Sequence, residues 1–331
     1  MVLYNVFSDS SRGPDIYGTE PWHFYLRNLL INFNVWFLLA LASGPLLYLQ
    51  RRYGRQAASR MTFFRSAVFL SPFYIWLAVF SLQPHKEERF MYPLYPCLAL
   101  NAALALHLCI LHLSTSDTRT LAGRIPAAVK FVVIATLILS AIVLGLLRAL
   151  GVATAYSAPL RVYAALQEHV DRSPAIGGAA PVCVGKEWYR YPSSYHLPAA
   201  ARLKFVESDF AGLLPGEFSE SAIGFGMFPG TWLPPSGMND RNEPDPEKLY
   251  PVERCAFLID SRFPAADGAD RSALEPDYAA DTDVWEPIVC EPFLDAARTG
   301  LVGRLFWVPE WGFVPRSFRR QWGEYCLLRR R

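Results

Sequence analysis

The sequence predicts an α-helical polytopic membrane domain followed by an α/β domain. Two observations carry the first half of that reading. Four apolar runs, each close to the roughly 20 residues that span a bilayer, crowd into the first 150 of 331 residues, and the charged run His85-Lys86-Glu87-Glu88-Arg89 is lodged between two of them. The second half rests on the stretch beyond residue 150, where short apolar segments alternate with Gly- and Pro-rich connections and acidic segments. The chain thus divides into an arm over 1–22, four spans over 23–150 with the charged loop at 84–90, and a tail domain over 151–331.

The arm ends in Gly13-Pro14-Asp15-Ile16-Tyr17-Gly18-Thr19-Glu20-Pro21-Trp22, a turn-rich segment whose Trp22 suits an interfacial anchor. The spans fall near Phe24–Leu49, Phe63–Leu82, Phe90–Leu113 and Ala127–Leu150. Arg27, Arg65, Lys130 and Arg148 lie where they can snorkel to the interface. His107 and His112 come late in the third span, where interfacial placement outweighs a ligand role. Asn28 and Asn32 are four apart and share a helix face; interhelical hydrogen bonding and substrate contact explain them equally well. Pro84 ends the second span, and Pro93 and Pro96 interrupt the first turns of the third. The carbonyls these prolines free need water, neighbours or a ligand, which favours a polar vestibule there.

In the tail the pattern predicts a helix over Leu160–Val170 and a Gly/Ala/Pro linker over 173–181. Strands are expected over Pro181–Trp188, Leu203–Glu207 and Glu253–Ser261, and a short helix over Pro292–Arg298. Residues 211–250 read as a long ordered loop, and Asp267–Asp283 as an acidic, exposed segment. Asp295 would stand just inside the helix N-terminus and stabilise it electrostatically. Lys186 and Glu187 read as an exposed pair of small energetic effect. Tyr189, Arg190 and Tyr191 suit either a sugar-binding cluster or the rim of a small core.

Charge is split between the halves. Residues 1–150 carry 13 Lys+Arg against 6 Asp+Glu, and residues 151–331 carry 19 against 24. The basic residues of the membrane half gather at Arg51, Arg52, Arg55, Arg60 and Arg65, which places that loop in the cytosol; Arg119 and Arg124 place the third loop there as well. Asp9, Asp15 and Glu20 against Arg12 suit an N-terminus on the other side. With four spans, the charged loop and the tail then share that non-cytosolic compartment. No signal peptide is expected before the first span, since a basic n-region is lacking. The acidic tail and the absence of a basic-aromatic pattern argue against nucleic acid.

Of six cysteines, Cys97 and Cys109 lie in the third span and Cys183, Cys255, Cys290 and Cys326 in the tail. No CxxC or Cys/His spacing points to zinc. An oxidising compartment would permit disulfides among the four tail cysteines. Cys183 and Cys255 lie in strand-like stretches and fit buried thiols equally well.

The charged loop carries the chemistry. His85, Lys86 and Arg89 bring three potential cations to an interface where phosphate pairing is strong. Glu87 and Glu88 could hold sugar hydroxyls or neutralise the basic pair, and Asp15 and Glu20 of the arm could face the same vestibule. A solvated hairpin whose charges only mark the bilayer boundary fits the same residues. Glu20, just before Pro21, could equally stabilise the first helix N-terminus.

A resemblance weighs on that choice. The loop with its flanks, Gln83-Pro84-His85-Lys86-Glu87-Glu88-Arg89-Phe90-Met91-Tyr92-Pro93-Leu94-Tyr95-Pro96, resembles the signature of the dolichyl-phosphate-mannose-dependent mannosyltransferases of the endoplasmic reticulum. Other segments are similar to the alpha-1,2-mannosyltransferases of the lipid-linked oligosaccharide pathway, within glycosyltransferase family twenty-two. These are Tyr17-Gly18-Thr19-Glu20-Pro21-Trp22 with Asn32-Phe33-Asn34, Val182-Cys183-Val184-Gly185-Lys186-Glu187-Trp188-Tyr189-Arg190 through Pro192-Ser193-Ser194, Met238-Asn239-Asp240, and Pro292-Phe293-Leu294-Asp295-Ala296. The likeness runs from about Tyr4 to at least Pro309.

The resemblance implies a GT-C-like membrane domain, four of a larger set of spans, and a luminal α/β tail in the endoplasmic reticulum membrane. It implies an inverting enzyme that moves mannose from dolichyl phosphate mannose to a lipid-linked oligosaccharide in an alpha-1,2 linkage during assembly of the N-glycan precursor. Since that donor is a monophosphate ester, side-chain cations could replace a metal, and no metal or other cofactor is expected. Substrate-binding roles then fall on His85, Lys86, Glu87, Glu88 and Arg89, joined by Asp15 and Glu20. Family members are longer on the N-terminal side, and their presumed catalytic carboxylate lies in an early luminal loop with no counterpart here. No catalytic base is therefore assigned. A catalytically incompetent truncated form, and a mannosyltransferase of glycolipid-anchor synthesis, are the alternatives; the segments around Cys183 and Met238 speak against the second.

Overall fold

A computed structural model describes residues 13–53, 60–115, 117–170, 179–191, 194–217, 219–221, 231–233, 235–264 and 272–331. Asp9, Arg12, Arg55, Pro192, Ser193, most of the 173–181 linker and the start of the acidic segment at 267 lie outside the described residues. The chain divides into two compact units, Met1–Leu146 and Leu147–Arg331.

The first unit is helical. After a 3-10 turn at Pro14–Tyr17 come α1 (Phe24–Phe33), α2 (Val35–Tyr53), α3 (Arg60–Leu82), a 3-10 segment at Glu88–Leu94, α4 (Tyr95–Leu113), the single turn α5 (Leu121–Arg124) and α6 (Ala127–Tyr156). Among the described residues three stretches are long and apolar enough to cross a membrane: Thr62–Leu82, Glu88–Leu113 and Ala127–Tyr156. The first predicted span needs correction. In place of one helix over Phe24–Leu49, α1 and α2 meet at a bend of 114° and make a fourth span only if counted together. The break falls at Asn34. This residue adopts φ 44° with ψ −123°, which is not helical, and its Oδ1 accepts the N–H of Val35, the first residue of α2, at 2.7 Å.

The core of this unit is built from Tyr25 and Leu29 of α1, Phe37 and Ala40 of α2, Phe73 and Leu77 of α3, and Leu98 and Ala102 of α4. Pro45 sits inside α2 and leaves the Leu41 carbonyl without its helical donor. Tyr74 of α3 compensates. Its Oη lies 3.0 Å from Leu41 O and 3.2 Å from Ala40 O, accepts the Gly44 N–H at 2.8 Å, and is 2.9 Å from Ser43 Oγ. Gly44 permits that approach, since a Cβ there would lie 3.0 Å from Tyr74 Oη. By contrast α6 exposes Phe131, Val132, Leu139 and Leu146, as a lipid-facing helix does.

The second unit is a mixed five-stranded sheet with helix α7 (Ala158–Val170) on one face. Its strands are β1 (Ala180–Val184), β2 (Ala201–Phe205), β5 (Phe257–Arg262), β6 (Trp285–Leu294) and β7 (Trp322–Arg330), in the order β2-β1-β5-β7-β6. β3 (Ser219–Ser221) and β4 (Thr231–Leu233) form a separate pair within the Gly/Pro-rich stretch, and a short α8 (Leu301–Leu305) precedes β7. β2, β1 and β5 run parallel, whereas β7 is antiparallel to both β5 and β6. Period-two alternation sorts the strands. Val182, Val184, Phe257, Ile259, Tyr325 and Leu327 cluster with Val162, Tyr163 and Leu166 of α7. Cys183, Leu258, Cys326 and Leu328 form the opposite cluster with Trp285 and Val206.

Two tail expectations change. The predicted helix at Pro292–Arg298 is the end of strand β6 followed by a turn. Prolines are tolerated on an edge strand, and β6 is an edge strand carrying Pro287 and Pro292. Asp295 therefore caps a turn: its Oδ1 accepts the N–H groups of Ala297 and Arg298 at 3.1 and 3.2 Å. The choice left open for the cysteines is also decided, because Cys183 bonds to Cys255 and Cys290 to Cys326, leaving Cys97 and Cys109 free.

Candidate substrate site at the charged loop

The loop between α3 and α4 folds back on the arm. Pro84 O accepts the Glu20 N–H at 3.0 Å, joining the two segments. Gly18, at φ 102°, turns its carbonyl to His85 Nδ1 at 2.8 Å. Lys86 is only 6% exposed, and its ammonium donates to the carbonyls of Glu20, at 2.7 Å, and Gln83. Desolvation lowers the lysine's pKa, against the opposing charge of Glu20. From below, Tyr25 grips the turn: its hydroxyl donates to Glu87 O at 3.1 Å and accepts the Glu87 N–H at 3.2 Å. Trp76 Nε1 donates to Phe90 O at 2.9 Å.

Glu87 is the hub of the charges. One carboxylate oxygen meets His85 Nε2 at 3.1 Å and Arg89 Nη2 at 2.7 Å, and the other meets Arg89 Nε at 2.5 Å. Partial burial acts to raise this carboxyl, but the hydrogen bonds and charges of Arg89 and His85 outweigh it and hold the group below the usual range. Arg89 remains 68% exposed at its side chain, while His85 is 11% exposed. A cavity of about 440 Å³ opens over this arrangement, lined by Tyr17, Thr19, Glu20, His85, Lys86 and Arg89 among others.

Of the seven residues singled out in the sequence, Glu20, His85, Lys86, Glu87 and Arg89 line this cavity. Glu88 faces elsewhere: its Oε1 accepts from Asn32 Nδ2 at 3.2 Å, and Asn32 also donates to Asn28. Asp15 lies in the 3-10 turn of the arm and is not among the cavity's lining residues. Sequence reasoning misses Tyr17, Thr19 and Tyr25 as parts of this site. Tyr17 and Thr19 stand in the arm segment that resembles the family, yet no spacing rule joins residue 17 to residue 85.

The tail carries a second polar grouping that corrects the reading of an exposed Lys186–Glu187 pair. Glu187 is 1% exposed and accepts from Arg190 Nη1 at 2.7 Å and Ser261 Oγ at 2.5 Å. Lys186 turns to the other sheet face and pairs with buried Asp260 at 3.1 Å. Burial pushes the Asp260 carboxyl up to about 7 in spite of that lysine. Arg190 lies over the rings of Tyr189 and Phe293, at 4.5 and 4.8 Å, and Tyr191 donates to Ser194. Among the described residues the only metal-like cluster is Cys290, Glu324 and Cys326, whose two cysteines are bonded to each other.

Comparison with known proteins now bears on this site. The model of the Alg9-like mannosyltransferases matches residues 1–198, more than half of the chain and all of the charged loop. The chain belongs to that family. An alpha-1,2-mannosyltransferase alg9 of Schizosaccharomyces pombe is 40% identical over 332 residues, covering 99% of this chain and 54% of that protein. The human alpha-1,2-mannosyltransferase ALG9 is 36% identical over 318 residues, covering 93% and 49%. The Saccharomyces cerevisiae protein is 33% identical over 344 residues, covering 99% and 55%. The chain thus spans about half the length of the curated relatives it matches. No solved structure matches it.

Proposed function

We propose that this chain carries the donor-phosphate portion of a mannosyltransferase of the endoplasmic reticulum membrane, with the charged loop and the tail in the lumen. The reaction is transfer of mannose from dolichyl phosphate mannose to a lipid-linked oligosaccharide in an alpha-1,2 linkage. The observation that carries the reading is the cavity where Arg89, His85 and Lys86 converge beside a stretch suited to cross a membrane. A lipid phosphate arriving from the bilayer meets an arginine fork already oriented by Glu87. Lys86 has two of its three protons on carbonyls, leaving one for the phosphate.

An acceptor hydroxyl oxygen attacks the anomeric carbon of a beta-linked donor as the carbon–phosphate oxygen bond breaks, inverting that centre. The hydroxyl proton passes to a carboxylate, and dolichyl phosphate leaves with the bonding electrons. The charge that grows on the leaving phosphate is what Arg89 and Lys86 stabilise, with His85 holding the arm and Glu87 in place, and a preoriented donor is worth most at that point. The matched relatives are alpha-1,2-mannosyltransferases, which supports the linkage in this reading.

The test is Arg89→Ala in the complete enzyme, assayed in microsomes lacking the endogenous activity. Mannose transfer should fall about 100-fold, the usual cost of losing one transition-state donor, with unchanged membrane insertion. Wild-type turnover would mean that the loop only marks the bilayer boundary.

A further inference from the structure

The tail unit holds a second cavity, of about 460 Å³, lined by Val206, Glu207, Tyr250, Val252, Glu253 and Tyr278 among others. That volume falls within the range of about 300–1,000 Å³ usual for small-ligand sites. Glu207 follows the carboxyl end of β2, beside β1 in the parallel part of the sheet. Crevices beyond the carboxyl ends of parallel strands are where open α/β sheets bind ligands.

Both walls are held in place. On one side the Tyr250 N–H donates to Phe205 O at 2.7 Å, and the Val206 N–H to Val184 O at 3.0 Å. The Cys183–Cys255 disulfide ties the segment carrying Tyr250, Val252 and Glu253 to β1. On the other side Glu275 accepts the Asp209 N–H at 3.1 Å, and Tyr278 packs edge-on against buried Trp285, with ring centroids 6.3 Å apart.

The lining states what would fit. Among the described residues it contains no lysine, arginine or histidine. Lys204, whose ammonium lies 5.4 Å from the Tyr250 ring centroid, is already paired with Glu217 at 2.8 Å, so the lining carries two carboxylates and disfavours a phosphate, sulfate or carboxylate. Glu207 and Glu253 are exposed, and neither has an ion-pair partner among the described residues. Carboxylates are acceptors for hydroxyl donors, and tyrosine rings offer apolar bodies to carbon–hydrogen faces with a hydroxyl at the edge. A neutral sugar chain has both surfaces.

We infer that this cleft is a glycan-binding subsite that holds a neutral oligosaccharide between Tyr250 and Tyr278, with Glu207 and Glu253 accepting its hydroxyls. The inference rests on the proposed function, since the acceptor there is a lipid-borne oligosaccharide, and it gives the tail a role apart from the donor loop.

The probe is a free manno-oligosaccharide, added to the complete chain in nanodiscs and read by saturation-transfer NMR. Binding should be seen for the wild type and for Arg89→Ala, and should weaken at least tenfold in the double variant Glu207→Gln/Glu253→Gln and in Tyr278→Ala. In the complete enzyme the double variant should raise the acceptor KM at least tenfold with kcat and the donor KM unchanged. The Gln substitutions keep shape, and an unchanged thermal midpoint certifies the fold. No transfer of saturation to the sugar, or wild-type binding by a folded double variant, overturns the subsite. Failure of the donor reading shows separately, as wild-type turnover by Arg89→Ala.

Discussion

Asp260 shows how one buried group sets a pH dependence. Its carboxyl is pushed up to about 7 by burial between β1 and β7, although Lys186 stands 3.1 Å away. An acid whose folded pKa exceeds its unfolded value binds protons more tightly in the folded state. Its stabilising effect is complete below the unfolded pKa, near 3.8, and is lost as pH rises towards about 7. The thermal midpoint of the tail should therefore decline from pH 5 to pH 8, and Asp260→Asn should flatten that decline when unfolding is followed by tryptophan fluorescence. A parallel slope in both proteins would place the titration elsewhere. Lys86 teaches the complementary point at the same scale. Three cations look equivalent in the loop sequence, but burial and two carbonyls make Lys86 a clamp on the arm while Arg89 keeps its exposed face.

At the scale of elements, the kink-prone helix α2 depends on a neighbour. Pro45 strips Leu41 of its donor and Tyr74 replaces it across to α3. Water is scarce at that depth, so the orphaned carbonyl has no alternative partner. Tyr74→Phe should destabilise the helical unit by about 1–3 kcal/mol, the cost of an unsatisfied buried polar group. Heat-induced loss of helix circular dichroism in detergent would measure it, and an unchanged midpoint would mean that another group takes over. The Asn34 break belongs to this scale as well. Averaged over the run from Phe24 to Leu49 the hydropathy suggests one span, whereas the chain turns at Asn34, at positive φ, and makes two helices. Strand β6 departs from its expected helix for a related reason. Pro292 before an apolar pair looks like a helix start, yet pairing with β7 from Phe293↔Gly323 onward decides its conformation.

At the scale of the molecule, the charge split and the disulfides describe two units with different solvents. The basic half is helical and apolar-faced, and the acidic half is a sheet closed by Cys183–Cys255 and Cys290–Cys326. Cys183 and Cys255 are 72 residues apart, and a loop of that size is worth about 4 kcal/mol on the chain-entropy account. Replacing both by serine should lower the thermal midpoint of the tail while leaving the helix signal of the membrane unit in place. Loss of both transitions together would show that the two units unfold as one.

By itself the sequence determined the second, third and fourth apolar spans, the hinge of charge between two of them, the helix that opens the tail and the three parallel strands β1, β2 and β5. Those features depend on hydropathy, periodicity and local turn chemistry, which neighbouring residues settle among themselves. It also showed that His85 through Arg89 belong together, because they are adjacent in the chain. Only the tertiary structure brought Tyr17, Gly18 and Glu20 onto that loop, turned Glu88 away towards Asn32, buried Glu187 and Asp260 on opposite faces of a sheet, and paired the cysteines. Each of these joins residues from about 36 to 74 positions apart. No local pattern encodes such pairings, because they are chosen by how the packed elements share one interior.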